Sequence, residues 1–255
     1  MLGVIDLNAD VGESFGNMTS GLDEEIIPFV TSVNIATGFH SGDPNWIDKT
    51  VKLAERFGIS VGAHPSYPDI MGFGRRDMSF EDWEIVNLIK YQVGALLQFV
   101  KNKKIQHVKP HGALYNKASS DPYQANAVVN AIKEIDPEII HVVLSGSIWE
   151  DIAKKSGVRV ARECFADRAI TSDGKLVSRN VEGSVISEEG VIIERVIKLA
   201  ETGIMNSIDG TPVKISADSL CLHGDNENSV KLASIIRKEL ENAGIELKPM
   251  HTFVK

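Results

Sequence analysis

Cysteine is scarce in this sequence. Cys164 and Cys221 are the only two in 255 residues, and both fall inside strand-like runs, where a reduced, buried thiol is the expected state. Two thiols alone make no metal site. Long apolar runs are missing too. None approaches the ~20 residues of a membrane-spanning helix, and residues 1–10 carry neither a basic leader nor an apolar stretch of signal-peptide length. A cytoplasmic protein without membrane contact is expected. Basic residues are outnumbered 27 to 35, for a formal charge of −8. The chain therefore lacks the electrostatic footprint of a phosphate-backbone binder, and nucleic acid is not an expected partner. A small anionic substrate is still open to it, because local basic groups can outweigh net charge. No Gly-Lys-Ser/Thr phosphate loop, linker, low-complexity tract or repeat beyond a strand–helix rhythm is present.

What is present is one pattern used several times: a short strand ending in groups that can do chemistry. In residues 33–44 the two-residue period of a strand puts Asn34, Ala36, Gly38 and His40 on one face. Asp43-Pro44 then starts a helix, the Asp capping free N–H groups and the Pro giving up no needed donor. Residues 5–13 place Asp6, Asn8 and Asp10 together and lead to Glu13. Residues 59–65 group Ser60, Gly62 and His64, residues 107–112 group His107, Lys109 and His111, and a further strand ends in Leu222-His223-Gly224-Asp225.

Between these runs the apolar spacing turns helical. Helices are expected over residues 22–29, 45–57, 80–102 (with Ser79 and Asp82 resembling a capping box), 121–135, 147–155, 188–201 (capped by Ser187) and 226–243. Further strands are expected at 139–144, at 158–165 ending near Glu163, and at 213–222, with a short extended piece over 245–250. Regular alternation of strand and helix implies a parallel sheet with βαβ crossovers. Reactive residues at most strand ends imply closure around one shared mouth. The expectation is a single α/β domain spanning 1–255, a seven-stranded parallel (β/α) barrel.

The site candidates follow. Asp10, Glu13, His40, Asp43, His64, His111, His223 and Asp225 come from five separate strand exits, as a barrel active site requires. One histidine at a strand end is more often a hydrogen-bonded structural residue, whereas four in equivalent places favour function. Such a set can bind a divalent metal that activates water, or can serve directly as general acid and base, and spacing leaves both open. Lys109 shares a face with His111. An interior ammonium is either kept for an anion or paired, here with Asp6 or Asp10. Arg75 and Arg76 lie in a glycine-bearing loop that could hold an anion, although an exposed Arg pair is more often solvated charge.

Asp6-Leu7-Asn8-Ala9-Asp10-Val11-Gly12-Glu13, Asn34 to Pro44, Gly62-Ala63-His64-Pro65 with Pro68-Asp69, Gly72-Phe73-Gly74-Arg75-Arg76, Val108 to Tyr115, Phe165-Ala166-Asp167-Arg168 and Leu222-His223-Gly224-Asp225 together resemble the LamB/YcsF family. These motifs run in order along nearly the whole chain. The resemblance implies the barrel of glycoside hydrolases and polysaccharide deacetylases. It also implies the A-subunit role in an ATP-dependent hydrolase that opens 5-oxoproline to glutamate with partner subunits B and C. On that reading Asp10, Glu13, His40, His64, Lys109, His111 and His223 are catalytic. Asn8, Asn34, Asp43, Arg75, Arg76, Glu163 and Asp225 bind substrate, ATP is a co-substrate of the complex, and the identity of any metal is left open. Thr37 and Ala9 stand where many members have Cys, so neither position holds an obligatory thiol nucleophile. Two other readings are a metal-dependent carbohydrate deacetylase and a non-catalytic delivery subunit. The first lacks its Asp-Asp and His-x-x-x-His set, and the second does not need so many ionisable groups at strand exits.

Overall fold

The computed structural model describes residues 3–178, 180–222 and 227–255. Seven parallel strands form the wall of a closed barrel: β1 (Val4–Val11), β2 (Ser32–Ala36), β3 (Ser60–His64), β4 (His107–Val108), β5 (Ile140–Leu144), β6 (Val160–Phe165) and β9 (Ser219–Leu222). Each of the first six pairs with the next, β6 pairs with β9, and β9 returns to β1. The seven-stranded parallel barrel expected from the alternation is the architecture observed.

Helices α1 (Asp23–Ile26), α2 (Pro44–Phe57), α3 (Asp82–Leu97), α4 (Gly112–Ala118), α5 (Pro122–Ile135), α6 (Ile148–Lys155), α7 (Glu189–Thr202) and α8 (Glu227–Asn242) form the crossovers. The cap at Asp43 is as expected: its side chain accepts from the backbone N–H groups of Asn45 and Trp46, and Gly58 closes α2 in the left-handed region. Asp121 and Ser147 likewise cap α5 and α6.

Four details differ from the sequence reading. The capping box of α3 is Glu81 with Glu84, not Ser79 with Asp82, and the helix stops at Leu97. Asn102 and Lys103 take positive φ, which a continuing helix cannot accommodate. Ser187 does not cap α7, whose N-cap is Glu188. The run expected as one strand over 213–222 is two: β8 (Pro212–Lys214) makes an antiparallel hairpin with β7 (Ile204–Asn206), and only β9 joins the barrel. The helix α4, directly after His111, was not anticipated.

The main core lies between the outer faces of the strands and the helices, with Leu7, Ile35, Ile89, Leu114, Ile132 and Trp149 almost wholly buried. A small separate cluster of Ile140, Val142 and Ala161 packs with Met250 and Val254 near the starts of β5 and β6. There β10 (Glu246–Leu247) also pairs beside Val4 and Ile5. The C-terminal residues therefore pack at the amino end of the barrel, and the polar interior opens at the carboxyl end. No helix among the described residues is long and apolar enough to cross a membrane.

Candidate active site at the carboxyl mouth

The strand register builds the site. Asp10 lies level with Asn34, Asn34 with Gly62, and Gly62 with His107. Gly62 is required here, because a Cβ at that position would fall 2.1 Å from His107 Nε2. The space it leaves lets His107 Nε2–H donate to Asn34 Oδ1 at 2.6 Å. The Asn34 amide in turn donates to Asn8 Oδ1 at 2.7 Å and to Asp10 Oδ1 at 2.8 Å. Burial, with Lys109 and His64 adding to it, drives the His107 pKa from 6.5 down to about 3, so the ring is neutral. Below this layer Asp6 accepts from Thr31, Ser32 and Ser219. Burial raises its carboxyl to about 6.

Above it stands Lys109. Its Nζ is 2.9 Å from Asp10 Oδ1, 2.8 Å from Glu163 Oε1, 3.2 Å from Asn8 Oδ1 and 3.2 Å from Cys221 Sγ. Burial alone would drain its charge, but Asp10, Cys221 and Glu163 outweigh it and hold the ammonium well above its ordinary value. Of the two expected partners, Asp10 pairs with Lys109, and Asp6 is occupied by the three hydroxyls.

The histidines collect beside this pair. His64 Nδ1 lies 2.6 Å from the Lys109 carbonyl, and its Nε2 is 3.3 Å from Asp10 Oδ2 and 3.0 Å from His111 Nδ1. His111 Nε2 is 2.9 Å from the Phe73 carbonyl. His40 stacks on His111 with ring centroids 3.8 Å apart, and its Nε2 is 3.3 Å from Glu13 Oε1. Burial, reinforced by neighbouring imidazoles, holds both His40 and His111 well below the ordinary histidine range. Donor atoms of Glu13, His40, His64 and His111 all lie within 4.8 Å of one another. This set of imidazoles and a carboxylate fits a divalent transition metal.

The loop after β3 shapes the mouth differently from the expectation that its glycines admit a ligand. Gly72 makes room for the Asp69–Arg76 pair and Gly74 for the histidines. A Cβ on Gly74 would meet Ser66 Oγ at 2.2 Å, His40 Cβ at 2.8 Å and His111 Cδ2 at 2.9 Å, and φ there is +65. Phe73 is held at φ 54, a conformation that non-glycine residues rarely adopt, with its carbonyl on His111. Thr37 donates to Gln92 Oε1 at 3.0 Å, and the same Gln92 oxygen accepts from the Ser66 N–H at 2.9 Å. This anchors the loop to α3.

The expected site residues are thus distributed unevenly. Asp10, Glu13, His64, Lys109, His111 and Arg75 line a cleft of about 260 Å³, with His40 packed behind them. Asn8, Asn34 and Glu163 lie beneath it: Asn8 bonds to Asn34 and to Glu163, and Lys109 to Asn8 and Glu163. Asp43 is committed to the start of α2 and to the Gly16 N–H. Arg76 pairs with Asp69, whose carboxyl it holds well below the ordinary carboxylate range. His223 and Asp225 lie outside the described residues. The sequence reading missed Tyr115, Phe165 and Arg168, which also line the cleft, and Cys221. The period-two continuation from Ser219 could have indicated Cys221. Tyr115 required seeing α4.

A parallel βα barrel with carboxylates, imidazoles and a buried ammonium delivered to one mouth defines a barrel protein equipped for acid–base work on a small substrate. Within that class the chain belongs to the LamB/YcsF family, which matches residues 5–255. It is 48% identical over 253 residues to a Thermococcus onnurineus protein named as the A subunit of 5-oxoprolinase, covering 98% of this chain and 99% of that one. A Campylobacter jejuni protein of the same name is 48% identical over 252 residues, again 98% and 99%. The crystal structure of a lactam utilization protein from Thermus thermophilus superposes with a TM-score of 0.91 at 42% identity, covering 96% of this chain and 99% of that one. A family 4 carbohydrate esterase from Streptomyces lividans, at TM-score 0.50 and 10% identity over 99% of this chain and 96% of its own, shares the fold alone.

Proposed function

We propose that this chain is the A subunit of a cytoplasmic, ATP-dependent 5-oxoprolinase, opening the lactam of 5-oxo-L-proline to L-glutamate with partner subunits B and C. The observation that carries this reading is the near end-to-end similarity to relatives named for that role. The site's chemistry agrees with it.

A lactam carbonyl is a poor electrophile. Transfer of a phosphoryl group from ATP to its oxygen makes an activated imidate and releases ADP. Water then adds to the ring carbon, the C–N bond breaks as the nitrogen takes a proton, and an acyl phosphate remains. A second water hydrolyses it to glutamate and phosphate. Asp10 at the mouth acts as the base toward water and returns the proton to the ring nitrogen, with Glu13, His64 and His111 beside it completing the catalytic set. His40 holds Glu13, and His223 joins the same acid–base set. The Lys109 ammonium sets the charge of Asp10 and faces the developing negative charge. Asn8, Asn34 and Glu163 fix Lys109, while Arg75, with Arg168 beside it, meets carboxylate or phosphate. Arg76 and Asp225 complete the expected binding set.

The test is ATP-dependent glutamate release by the purified chain alone and mixed with its two partners. Turnover is expected only in the mixture, and Asp10→Asn in the mixture should lower it by about 10²-fold or more. ATP-dependent turnover by the chain alone would remove the need for partners. No turnover in any mixture, with all three proteins folded, would reject the reading.

A further inference from the structure

The hydrogen bonds at the mouth fix more than ring positions. A carbonyl oxygen can only accept, so His64 carries its hydrogen on Nδ1, toward the Lys109 carbonyl, and His111 carries its hydrogen on Nε2, toward the Phe73 carbonyl. In the neutral rings the remaining nitrogens, His64 Nε2 and His111 Nδ1, are bare and face each other across 3.0 Å. Two carboxylates stand beside them. Asp10 Oδ2 is 3.3 Å from His64 Nε2, and Glu13 Oε1 is 3.6 Å from His111 Nδ1. Two imidazole nitrogens and two carboxylate oxygens thus converge at the mouth, the donor set that a divalent cation among them would join.

We propose that Glu13, His64 and His111 form a binding site for one first-row divalent transition-metal ion, Zn²⁺ by preference, with His40 as the residue that positions Glu13.

The spacing suits such an ion. Ligands about 2.1 Å from one centre stand about 3.0 Å apart at a right angle and about 3.4 Å apart at the tetrahedral angle, close to the 3.0 Å and 3.6 Å separations found here. The supporting contacts suit it as well, because a metal-bound imidazole characteristically gives its other N–H to a carbonyl or carboxylate. Both rings do so. His40 is different: its Nδ1 is buried without a partner. Ligation through Nε2 would leave a buried N–H there unsatisfied, whereas an Nε2–H donated to Glu13 Oε1 at 3.3 Å leaves only a bare nitrogen. Two imidazoles with one carboxylate favour Zn²⁺, Co²⁺ or Ni²⁺ over Mg²⁺ or Ca²⁺, which prefer all-oxygen shells. Glu13, His64 and His111 all line the mouth cleft, giving an ion a way in.

Metal binding here does not depend on which substrate the barrel takes, and it is measured without turnover. The chain is stripped with a chelator and titrated with Co²⁺, reading the visible d–d bands, and then with Zn²⁺ in competition. One equivalent should bind, and Zn²⁺ should displace it. The double variant His64→Gln/His111→Gln should weaken Co²⁺ binding by at least about 10²-fold, beyond what loss of a supporting contact costs. His40→Asn should weaken it by about tenfold with the stoichiometry kept at one. His251→Gln, an exposed histidine at the other end of the barrel, should change nothing. Far-UV circular dichroism checks folding. If the double variant does not fold, Glu13→Gln, on a partly open side chain, carries the test with an expected loss of about tenfold or more.

No uptake at millimolar Co²⁺, or one-equivalent binding that survives these substitutions, overturns the proposal. A low-field imidazole proton signal shared by His64 and His111, unmoved by added metal, would show that a proton fills the gap instead. Glutamate release that fails while metal still binds would reject the oxoprolinase reading and leave this site standing.

Discussion

Lys109 illustrates how one residue links stability to chemistry. Its ammonium has the Asp10 and Glu163 carboxylates within 3 Å, and Glu163 is completely buried. Removing the positive charge leaves two carboxylates in the interior facing each other. Breaking a buried pair from one side typically costs about 3–5 kcal/mol, so Lys109→Met should lower the unfolding free energy measured by urea titration by an amount in that range. Adding Glu163→Gln should return part of the loss, because the carboxylate left uncompensated is then gone. In the reconstituted complex, turnover per folded molecule should fall by about 10²-fold. A stable Lys109→Met chain would deny the ion-pair network its structural role, and an unstable chain with normal turnover would confine Lys109 to that role.

At the scale of the element, the loop between β3 and α3 holds the imidazoles in place. Its Phe73 carbonyl fixes the His111 tautomer, and its Gly74 lies against Ser66, His40 and His111. The Gly74 carbonyl also accepts from the Ala113 N–H at 2.9 Å, tying the loop to the start of α4. A methyl group at position 74 would need both a rare φ and space that those side chains occupy. Gly74→Ala should therefore cost about 1–3 kcal/mol and displace His111, lowering turnover by more than the loss of folded protein explains. Thermal unfolding measured beside turnover separates the two effects. A fully active variant with wild-type stability would show that the loop yields without cost.

The molecule as a whole carries a pH dependence set inside the barrel. His107 is neutral when folded, with its pKa lowered from 6.5 to about 3, while in the unfolded chain it takes a proton below its ordinary value. Its contribution is full above 6.5 and is lost as pH falls from there toward about 3, by about 1.4 kcal/mol per pH unit. Asp6 acts in the opposite sense. Its folded value of about 6, above the ordinary 3.8, makes folding less favourable as pH rises through that interval. Between pH 6 and 4, a His107→Gln chain should show a stability-versus-pH slope shallower by about the same 1.4 kcal/mol per unit. Parallel slopes in urea titrations of the two proteins would mean that His107 is already protonated in the native barrel.

The sequence by itself determined the strand count, the placement of Asp10, His64, Lys109 and His111 on inward faces, and the Asp-Pro helix starts. These depend on period two, period 3.6 and local capping, all of which act between near neighbours along the chain. Residues 213–222 read as one strand because apolar alternation is the same in a barrel strand and in a surface hairpin; only the pairing partner distinguishes β8 from β9. Gly62 and Gly74 look like ordinary loop or strand glycines until His107 and His111 are seen filling the space beside them. The arginine pair likewise divides only in three dimensions, Arg75 lining the cleft and Arg76 held by Asp69. Tertiary structure alone decided that Lys109 bridges Asp10 and Glu163, 99 residues before it and 54 after it by sequence number. It also decided that His64 Nε2 and His111 Nδ1 face each other, because that depends on which carbonyl each ring meets when the barrel closes.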